Sequence, residues 1–181
     1  IAIDRIITFK NKEDLILIIG DYDTDGTTGA SILFLYLKSI NIDVEYYIPN
    51  RQKEGYGVSL LAIEYAIKIG AKCIITCDCG ITAFEAIEYA NKNEIDVIIT
   101  DHHKPKKTLP KAIAILNPHQ VDCEYPFKGL CGAGVAFKLC IAINNRLDYD
   151  LEHILQYSDL VAIATTADVM PVVDENRFIV K

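Results

Sequence analysis

The sequence lacks three features that would each point to a particular class of protein: a long apolar run, a pair of cysteines in CxxC spacing, and an excess of basic residues. A membrane-spanning helix needs about 20 consecutive apolar residues, and neither such a run nor a signal-peptide pattern is present. We therefore predict a cytoplasmic protein without membrane contact. The 18 basic and 25 acidic residues give a net charge of −7, which argues against a surface that binds nucleic acid over its whole extent.

The cysteines do not have the spacing of a zinc site or a disulfide framework. The chain has 6 cysteines among 181 residues, and it is not a small secreted domain, so we expect free thiols in a reducing compartment. Cys73, Cys77 and Cys79 lie in or just after an apolar segment, where a free cysteine behaves as a small hydrophobic residue.

The chain also contains no internal repeat, and short apolar segments alternate with helix-like segments. Strands that alternate with helices of about 10–15 residues predict an α/β fold, with a mainly parallel sheet of about five strands and helices on both faces. The predicted strands cover residues 15–19, 43–48, 72–76, 96–100 and 112–116. Because 181 residues suffice for one such domain only, we predict a single domain over 1–181, cut from a longer chain.

Three alternating carboxylates follow the first predicted strand. Asp21, Asp23 and Asp25 come directly after it, and Gly26 follows them. Ligands in open α/β sheets bind just beyond the carboxyl ends of strands, and three acids crowded there repel one another unless cations neutralise them. The motif therefore favours a site for divalent cations. A solvated acidic turn is the alternative, because Asp and Gly are common turn residues.

Ionisable side chains also follow two later strands. Asp78 comes just after the third predicted strand, and Asp101, His102 and His103 come after the fourth. Because the carboxyl ends of parallel strands share one edge, these residues should converge with the first three acids. Carboxylate oxygen mixed with imidazole nitrogen suits Mn²⁺, Fe²⁺ or Zn²⁺ better than Mg²⁺ alone. Two such cations about 3.5–4 Å apart would clamp a phosphoryl centre and activate water, which predicts phosphoester hydrolysis.

Several of these residues have a simpler interpretation. Asp78 could begin an ordinary turn, and one of the adjacent histidines could contact the substrate phosphate or protonate the leaving oxygen instead of binding metal. Arg51, between a strand end and a glycine-rich loop, is the best candidate for phosphate binding. The lysines after His103 are interpreted as solvated charges, and His119 and His153 as ordinary residues.

Five motifs in order carry a family resemblance: GDYDTDG, CDCG, TDHH, CGAGVAFK and ATTADVMP. Together they resemble the DHH phosphoesterase superfamily, and within it the RecJ-type single-strand-specific exonucleases, over nearly the whole chain. The resemblance implies two Mn²⁺ ions, with Mg²⁺ as the alternative metal. It implies six metal ligands: Asp21, Asp23, Asp25, Asp78, His102 and Asp168. Asp78 would bridge the two ions, and Asp168 is a ligand that periodicity alone would not select.

The resemblance also implies roles for the residues around the metal ions. His103 would contact the scissile phosphate as a catalytic residue. Asp101 would lie outside the metal ligands and support them. Arg51 and the CGAG turn, with Gly132 and Gly134, would line the substrate cleft.

By resemblance, the chain is the catalytic half of a Mn²⁺-dependent exonuclease that degrades single-stranded DNA from 5′ to 3′. A helicase and a single-strand-binding protein would be partners of the full-length chain, whose C-terminal substrate-binding domain is absent from this segment. The sequence departs from the family at Ile19, where several members have a histidine, so one metal site would rely on Asp21 or water instead. Asp159 is a weaker candidate for the last ligand.

Three other functions are open at this point. Relatives in the same superfamily cleave short oligonucleotides, cyclic dinucleotides, polyphosphate or pyrophosphate. The segment 23–27 also matches the DxDGT signature of haloacid-dehalogenase-like phosphatases, in which Asp23 would be the nucleophile and one Mg²⁺ would suffice. Some superfamily members are replication scaffolds that have lost their metal ligands, but here the acidic and histidine positions are nearly complete.

Overall fold

The computed structural model describes all residues, 1–181. The fold is built around a five-stranded sheet in which all neighbouring strands are parallel. The strands follow the order β2-β1-β3-β4-β5. They are β1 (Ile16–Gly20), β2 (Val44–Tyr47), β3 (Cys73–Cys77), β4 (Asp96–Thr100) and β5 (Ala114–Leu116). The predicted α/β class, the parallel sheet and the number of strands are confirmed.

Eight helices connect and cover the strands. They are α1 (Ala2–Lys12), α2 (Thr24–Ser39), α3 (Leu60–Ile69), α4 (Phe84–Lys92), α5 (Gly132–Arg146), α6 (Glu152–Leu155), α7 (Ser158–Ala167) and α8 (Asp174–Val180). None of them combines the length and the apolar character that a membrane span requires. All 6 cysteines are free thiols, as the sequence predicts.

Alternate positions of the strands contribute to two separate cores, one on each face of the sheet. Ile16 and Ile18 of β1 belong to a core of 26 buried residues, formed with α1, α2, α5 and α7. Leu17 and Ile19 belong to a core of 13 buried residues on the other face, formed with α3 and α4. Because both faces of the strands are buried, the strands consist of continuous apolar runs and not of alternating ones.

Local contacts set where two of the helices begin. Helix α2 begins at Thr24 because the Asp23 side chain caps it. Helix α4 begins only at Phe84, since residues 80–83 form a turn closed by the Ala83 amide on the Gly80 carbonyl.

The strand order places a candidate site at one point on the sheet edge. The chain passes from β1 to β2 on one side and then crosses to β3 on the other side of β1. Such a reversal opens a crevice at the carboxyl ends of the two strands, where doubly wound sheets bind their ligands. The segments after β1 and β3 carry the predicted acidic residues.

Candidate metal centre

The turn from β1 into α2 holds the first three acidic side chains. Asp21 follows β1, Asp23 caps α2 by accepting a hydrogen bond from the Gly26 amide at 2.9 Å, and Asp25 lies in the first helical turn. A Cβ at position 26 would lie 2.5 Å from the Asp21 amide nitrogen. Only glycine therefore lets the helix begin so close to the end of the strand.

Asp25 is held in place by the start of α5. Its two carboxylate oxygens accept backbone hydrogen bonds, from the Gly132 amide at 2.6 Å and from the Ala133 amide at 2.7 Å. The first amides of a helix lack partners within the helix and favour negative charge, so they fix this carboxylate in one orientation. A Cβ on Gly132 would lie 2.5 Å from the Cβ of Asp78, so α5 can approach the site this closely only through a glycine.

Asp78 lies at the centre of the site, directly after β3. Its backbone φ is 59°, a left-handed conformation that Asp tolerates better than most residues. Burial raises the pKa of Asp78 to about 7; contact with His102 opposes this increase and the neighbouring Asp25 adds to it. The Oδ1 atom is buried, and the nearby His102 ring does not donate to it with hydrogen-bond geometry. A buried carboxylate oxygen in this state is costly unless a positive charge pairs with it.

Three carboxylates surround the Nε2 atom of His102. Nε2 lies 3.1 Å from Asp78 Oδ1, 3.6 Å from Asp25 Oδ2 and 3.7 Å from Asp168 Oδ2. Asp25, His102 and Asp168 are called the imidazole half of the site. Two ligand atoms about 2.1 Å from one cation and at right angles to each other lie about 3 Å apart, so these separations fit the ligands of a single ion. Imidazole nitrogen combined with carboxylate oxygen suits Mn²⁺, Fe²⁺ or Zn²⁺.

A second group of ligand atoms also includes Asp78. Ligand atoms of Asp21, Asp23 and Asp78 lie within 4.8 Å of one another, and Asp21 and Asp23 are called the carboxylate half. The Gly57 amide lies 3.4 Å from Asp21 Oδ1, whereas the buried Oδ2 has no hydrogen-bond partner. Burial raises the pKa of Asp21. The shared position of Asp78 is the one expected of a carboxylate that bridges two cations.

His103 and Asp101 form a pair beside these ligands. Asp101 Oδ1 accepts a hydrogen bond from the His103 amide at 3.0 Å and lies 2.7 Å from its Nδ1, and Oδ2 accepts one from the Ile81 amide at 2.9 Å. The hydrogen bond to Asp101 raises the pKa of His103 to about 9. Because the His103 side chain is 44% exposed, it presents a positively charged N–H group at the open side of the site.

Tyr56 contacts the site, although the sequence selected only the loop that contains it. Its hydroxyl donates a hydrogen bond to the Asp78 carbonyl at 3.2 Å and lies 2.9 Å from Nε2 of His103. A cavity of about 360 Å³ opens beside these groups, between Tyr56 and residues 80–83. The only signal in the sequence is a tyrosine between two glycines, since the fold alone brings this loop over the end of β3.

The residues predicted to line a substrate cleft lie in two different places. Arg51 is exposed at the rim, where its guanidinium lies 5.3 Å from the centre of the Tyr22 ring. Gly132 and Gly134 are buried at the start of α5. The Gly132 amide contacts Asp25, and the Gly134 amide donates to the Cys131 sulfur at 3.3 Å. Substrate contact by these three residues stays a prediction.

Three other residues with a possible role in the sequence lie outside the cluster. Asp159 is exposed on α7 and accepts a hydrogen bond only from the adjacent Leu160 amide, whereas Asp168 reaches His102. Ile19 is fully buried in the core beneath α3 and α4. The His153 ring lies 2.9 Å from the Ser39 hydroxyl at the far end of α2.

Comparison with known proteins gives one family. A model described as the DHH family, N-terminal domain, matches residues 15–165. The chain is 44% identical over 178 residues to the single-stranded-DNA-specific exonuclease RecJ of Bacillus subtilis (strain 168). It is 38% identical over 188 residues to the enzyme of the same name from Escherichia coli (strain K12). These alignments cover 98% of this chain but only 22% and 33% of the two relatives.

Two solved structures are similar over nearly the whole chain. A crystal structure of exonuclease RecJ bound to manganese superposes with a TM-score of 0.89 at 36% identity, covering 99% of this chain and 45% of that one. A structure of RecJ in complex with Mn²⁺ from Thermus thermophilus gives a TM-score of 0.84 at 33% identity, covering 99% of this chain and 25% of that one.

Proposed function

The chain belongs to the DHH family, as its five motifs predict, and on that basis we propose that it is the catalytic domain of a metal-dependent exonuclease acting on single-stranded DNA. The observation that carries the proposal is the position of Asp78, whose Oδ1 lies 3.1 Å from Nε2 of His102 and whose carboxylate also lies within 4.8 Å of ligand atoms of Asp21 and Asp23. The relatives named single-stranded-DNA-specific exonuclease support the choice of substrate. The 5′-to-3′ direction is part of the proposal. The family membership excludes the haloacid-dehalogenase alternative.

Two Mn²⁺ ions, or Mg²⁺ in their place, fit the residues present. The imidazole half would hold one ion, the carboxylate half would hold the other, and Asp78 would contact both. This assignment is supported by the buried oxygens of Asp21 and Asp78, which have no hydrogen-bond partner. When bound, two such cations neutralise charge on a phosphoryl group and lower the pKa of water.

The chain's own residues would orient and stabilise the phosphodiester. His103, held by Asp101 and positively charged, is placed to donate a hydrogen bond to the scissile phosphate or a proton to the leaving oxygen. Arg51 on the rim would bind a second phosphate of the strand. The cavity beside Tyr56 is the space nearest to His103 that could take a nucleoside.

The domain is proposed to be part of a longer protein. The chain spans between about a fifth and a third of the length of the curated relatives it matches, so a further substrate-binding domain C-terminal to it is part of the proposal. A cytoplasmic location, a helicase and a single-strand-binding protein belong to the same proposal.

The decisive experiment compares the longer protein with its Asp78→Asn variant. Asn accepts the positive φ of this position but cannot supply a bridging carboxylate. We expect the protein to release mononucleotides from the 5′ end of single-stranded DNA with Mn²⁺, and the variant to be at least about 10³-fold slower.

Asp159→Asn, an exposed aspartate outside the site, is the matched control and should leave the rate unchanged. Normal activity of Asp78→Asn would contradict the proposal. Faster hydrolysis of dinucleotides than of long strands would instead favour the short-oligonucleotide alternative.

A further inference from the structure

The imidazole half depends on two segments that are far apart in the sequence. Residues 129–133 hold Asp25 through the amides of Gly132 and Ala133, and residues 168–171 carry Asp168. The Oδ2 atoms of Asp25 and Asp168 lie 3.6 Å and 3.7 Å from the same His102 nitrogen. The position of one segment relative to the other therefore decides whether this half can hold an ion.

The backbone of the segment that carries Asp168 is strained. Helix α7 ends with the Val169 amide bonded to the Thr166 carbonyl at 3.2 Å and the Met170 amide bonded to the Thr165 carbonyl at 3.0 Å. Val169 has a φ of 55° at a position where helices usually have glycine. A β-branched residue is strained there, and such strain persists only where neighbouring structure imposes it. The Val169 side chain is 87% exposed, so it is not packing of this side chain that imposes the conformation.

One buried side chain, Asn176 of α8, joins the two segments. Its Nδ2 group donates hydrogen bonds to the Gly129 carbonyl at 2.7 Å and to the Pro171 carbonyl at 3.0 Å. Asn176 is 1% exposed, and its Oδ1 atom has no hydrogen-bond partner. The amide orientation is thus determined by the two donated bonds alone.

Helix α8, which carries Asn176, is itself held against α5 by side-chain contacts. The adjacent Glu175 forms an ion pair with Lys138 of α5 and accepts a hydrogen bond from the Tyr125 hydroxyl at 2.5 Å. The two joined segments are also in close contact, because a Cβ on Gly129 would lie 3.0 Å from Pro171.

We propose that Asn176 is a positioning residue that sets the distance between Asp25 and Asp168, and thereby the affinity of the imidazole half for its cation. The inference rests on the proposed function, since it takes this half to be a metal site. Asn176 touches neither ligand. It acts through Gly129 toward the amides that hold Asp25, and through Pro171 toward the turn that presents Asp168.

The test is a Mn²⁺ titration of the full 181-residue chain. Electron paramagnetic resonance and calorimetry measure the affinity of each binding step, and thermal unfolding measures stability separately. Outer residues that orient metal ligands contribute about 10–100-fold to affinity, so Asn176→Ala should weaken one of the two binding steps at least about tenfold. The other step should change little.

Asn144→Ala is the matched control. Asn144 is also fully buried, and its Nδ2 group likewise donates to two carbonyls, of Tyr149 and Asp150 at 2.8 Å and 3.2 Å, but at the far end of α5. It should lower thermal stability by a similar amount and leave both Mn²⁺ steps unchanged. Equal weakening by both variants, or two unchanged steps in Asn176→Ala, would overturn the inference.

Two further variants distinguish a specific loss of Mn²⁺ affinity from a general loss of folding. A serine at position 176 has a single O–H donor and can keep only one of the two bonds, so Asn176→Ser should weaken the same step less than Asn176→Ala does. Val169→Gly removes the backbone strain, and added to Asn176→Ala it should restore part of the lost affinity; no restoration would count against the inference. A wild-type chain that binds no Mn²⁺ pair would overturn the proposed function itself, whereas an unaffected Asn176→Ala chain would overturn only the role of Asn176.

Discussion

The two halves of the candidate metal centre differ both in their donor atoms and in how firmly the fold holds them. The imidazole half contains the His102 nitrogen, and two backbone amides fix the orientation of Asp25. The carboxylate half offers oxygen atoms only: the exposed Asp23 accepts one hydrogen bond from the Gly26 amide, and the Gly57 amide lies 3.4 Å from Asp21. The imidazole half is therefore the more rigid at Asp25, and the carboxylate half is the more open at Asp23.

This difference predicts different metal chemistry in the two halves. Imidazole nitrogen favours Mn²⁺ over Mg²⁺, whereas an all-oxygen site accepts either ion. A rigid half loses little conformational entropy when it binds an ion, so it should hold its cation more tightly. An open half leaves coordination positions for phosphate oxygens of a substrate. We expect one tightly bound ion and one exchangeable ion that takes part in substrate binding.

The strongest test of the comparison removes one carboxylate from each half. Asp168→Asn should weaken the tighter Mn²⁺ step by about 100-fold, and Asp23→Asn should weaken only the weaker step, by about tenfold or more. Titration with Mn²⁺ in the presence of competing Mg²⁺ measures both steps, because Mg²⁺ should displace ions only from the carboxylate half. Weakening of the same step by both variants would mean that the two halves form a single site. Asp159→Asn again serves as the unaffected control.

Much of this site could be predicted from the sequence, because most of its residues directly follow strands. The positions of Asp21, Asp78 and His102 follow from the rule that parallel strands end at one edge. Asp168 ends a helix, so no period in the sequence selects it, and only the family resemblance pointed to it.

The supporting contacts could not be predicted, for a different reason. The Gly132 amide that holds Asp25 is 107 residues away from it in sequence. The partners of Asn176 are backbone carbonyl groups, which every residue has, so the residue types at those positions do not identify them. Backbone groups carry no information about their tertiary partners. The candidate ligands are therefore visible in the sequence, whereas the groups that hold them in place are not.

A pair of glycines at the start of α5 provides a test of smaller effect. A Cβ on Gly132 would lie 2.5 Å from Cβ of Asp78, whereas one on Gly134 would lie 3.4 Å from Leu130, which is ordinary contact. Gly132→Ala should push α5 away from the site, weaken both Mn²⁺ steps about tenfold and destabilise the fold by about 1–3 kcal/mol. Gly134→Ala should be neutral or stabilise the helix by up to about 1 kcal/mol.

Metal titration and thermal unfolding of the two variants separate these expectations. If Gly134→Ala weakened DNA binding while metal binding stayed normal, the predicted substrate contact of that glycine would gain support. Normal metal binding by Gly132→Ala would show that the tight approach of α5 to Asp78 is not required, and that the firmness of the imidazole half has another origin.

The smallest expected effect concerns pH, and it isolates what Asp78 contributes to both halves. In the metal-free chain, burial raises the pKa of Asp78 from an ordinary 3.8 to about 7, and burial also raises the pKa of Asp21 and Asp168. A carboxyl group with a raised pKa stabilises the folded chain below its ordinary pKa, and this stabilisation is lost as pH rises through the raised value. The hydrogen bond to Asp101 raises the pKa of His103 from 6.5 to about 9. The stability that protonated His103 adds to the folded chain is therefore lost as pH rises from the lower to the higher of these pKa values.

The melting temperature of the metal-free chain should therefore fall by a few degrees between about pH 5 and pH 9. Asp78→Asn should remove most of the fall below about pH 7 and keep the part that belongs to His103. Excess Mn²⁺ should reverse the trend, because metal binding requires deprotonated ligands and strengthens as pH rises. Unfolding curves with and without Mn²⁺ across this range measure both effects. A metal-free chain that becomes more stable toward high pH would mean that the buried carboxylates are already neutralised by groups of the protein, and neither half would then need a cation.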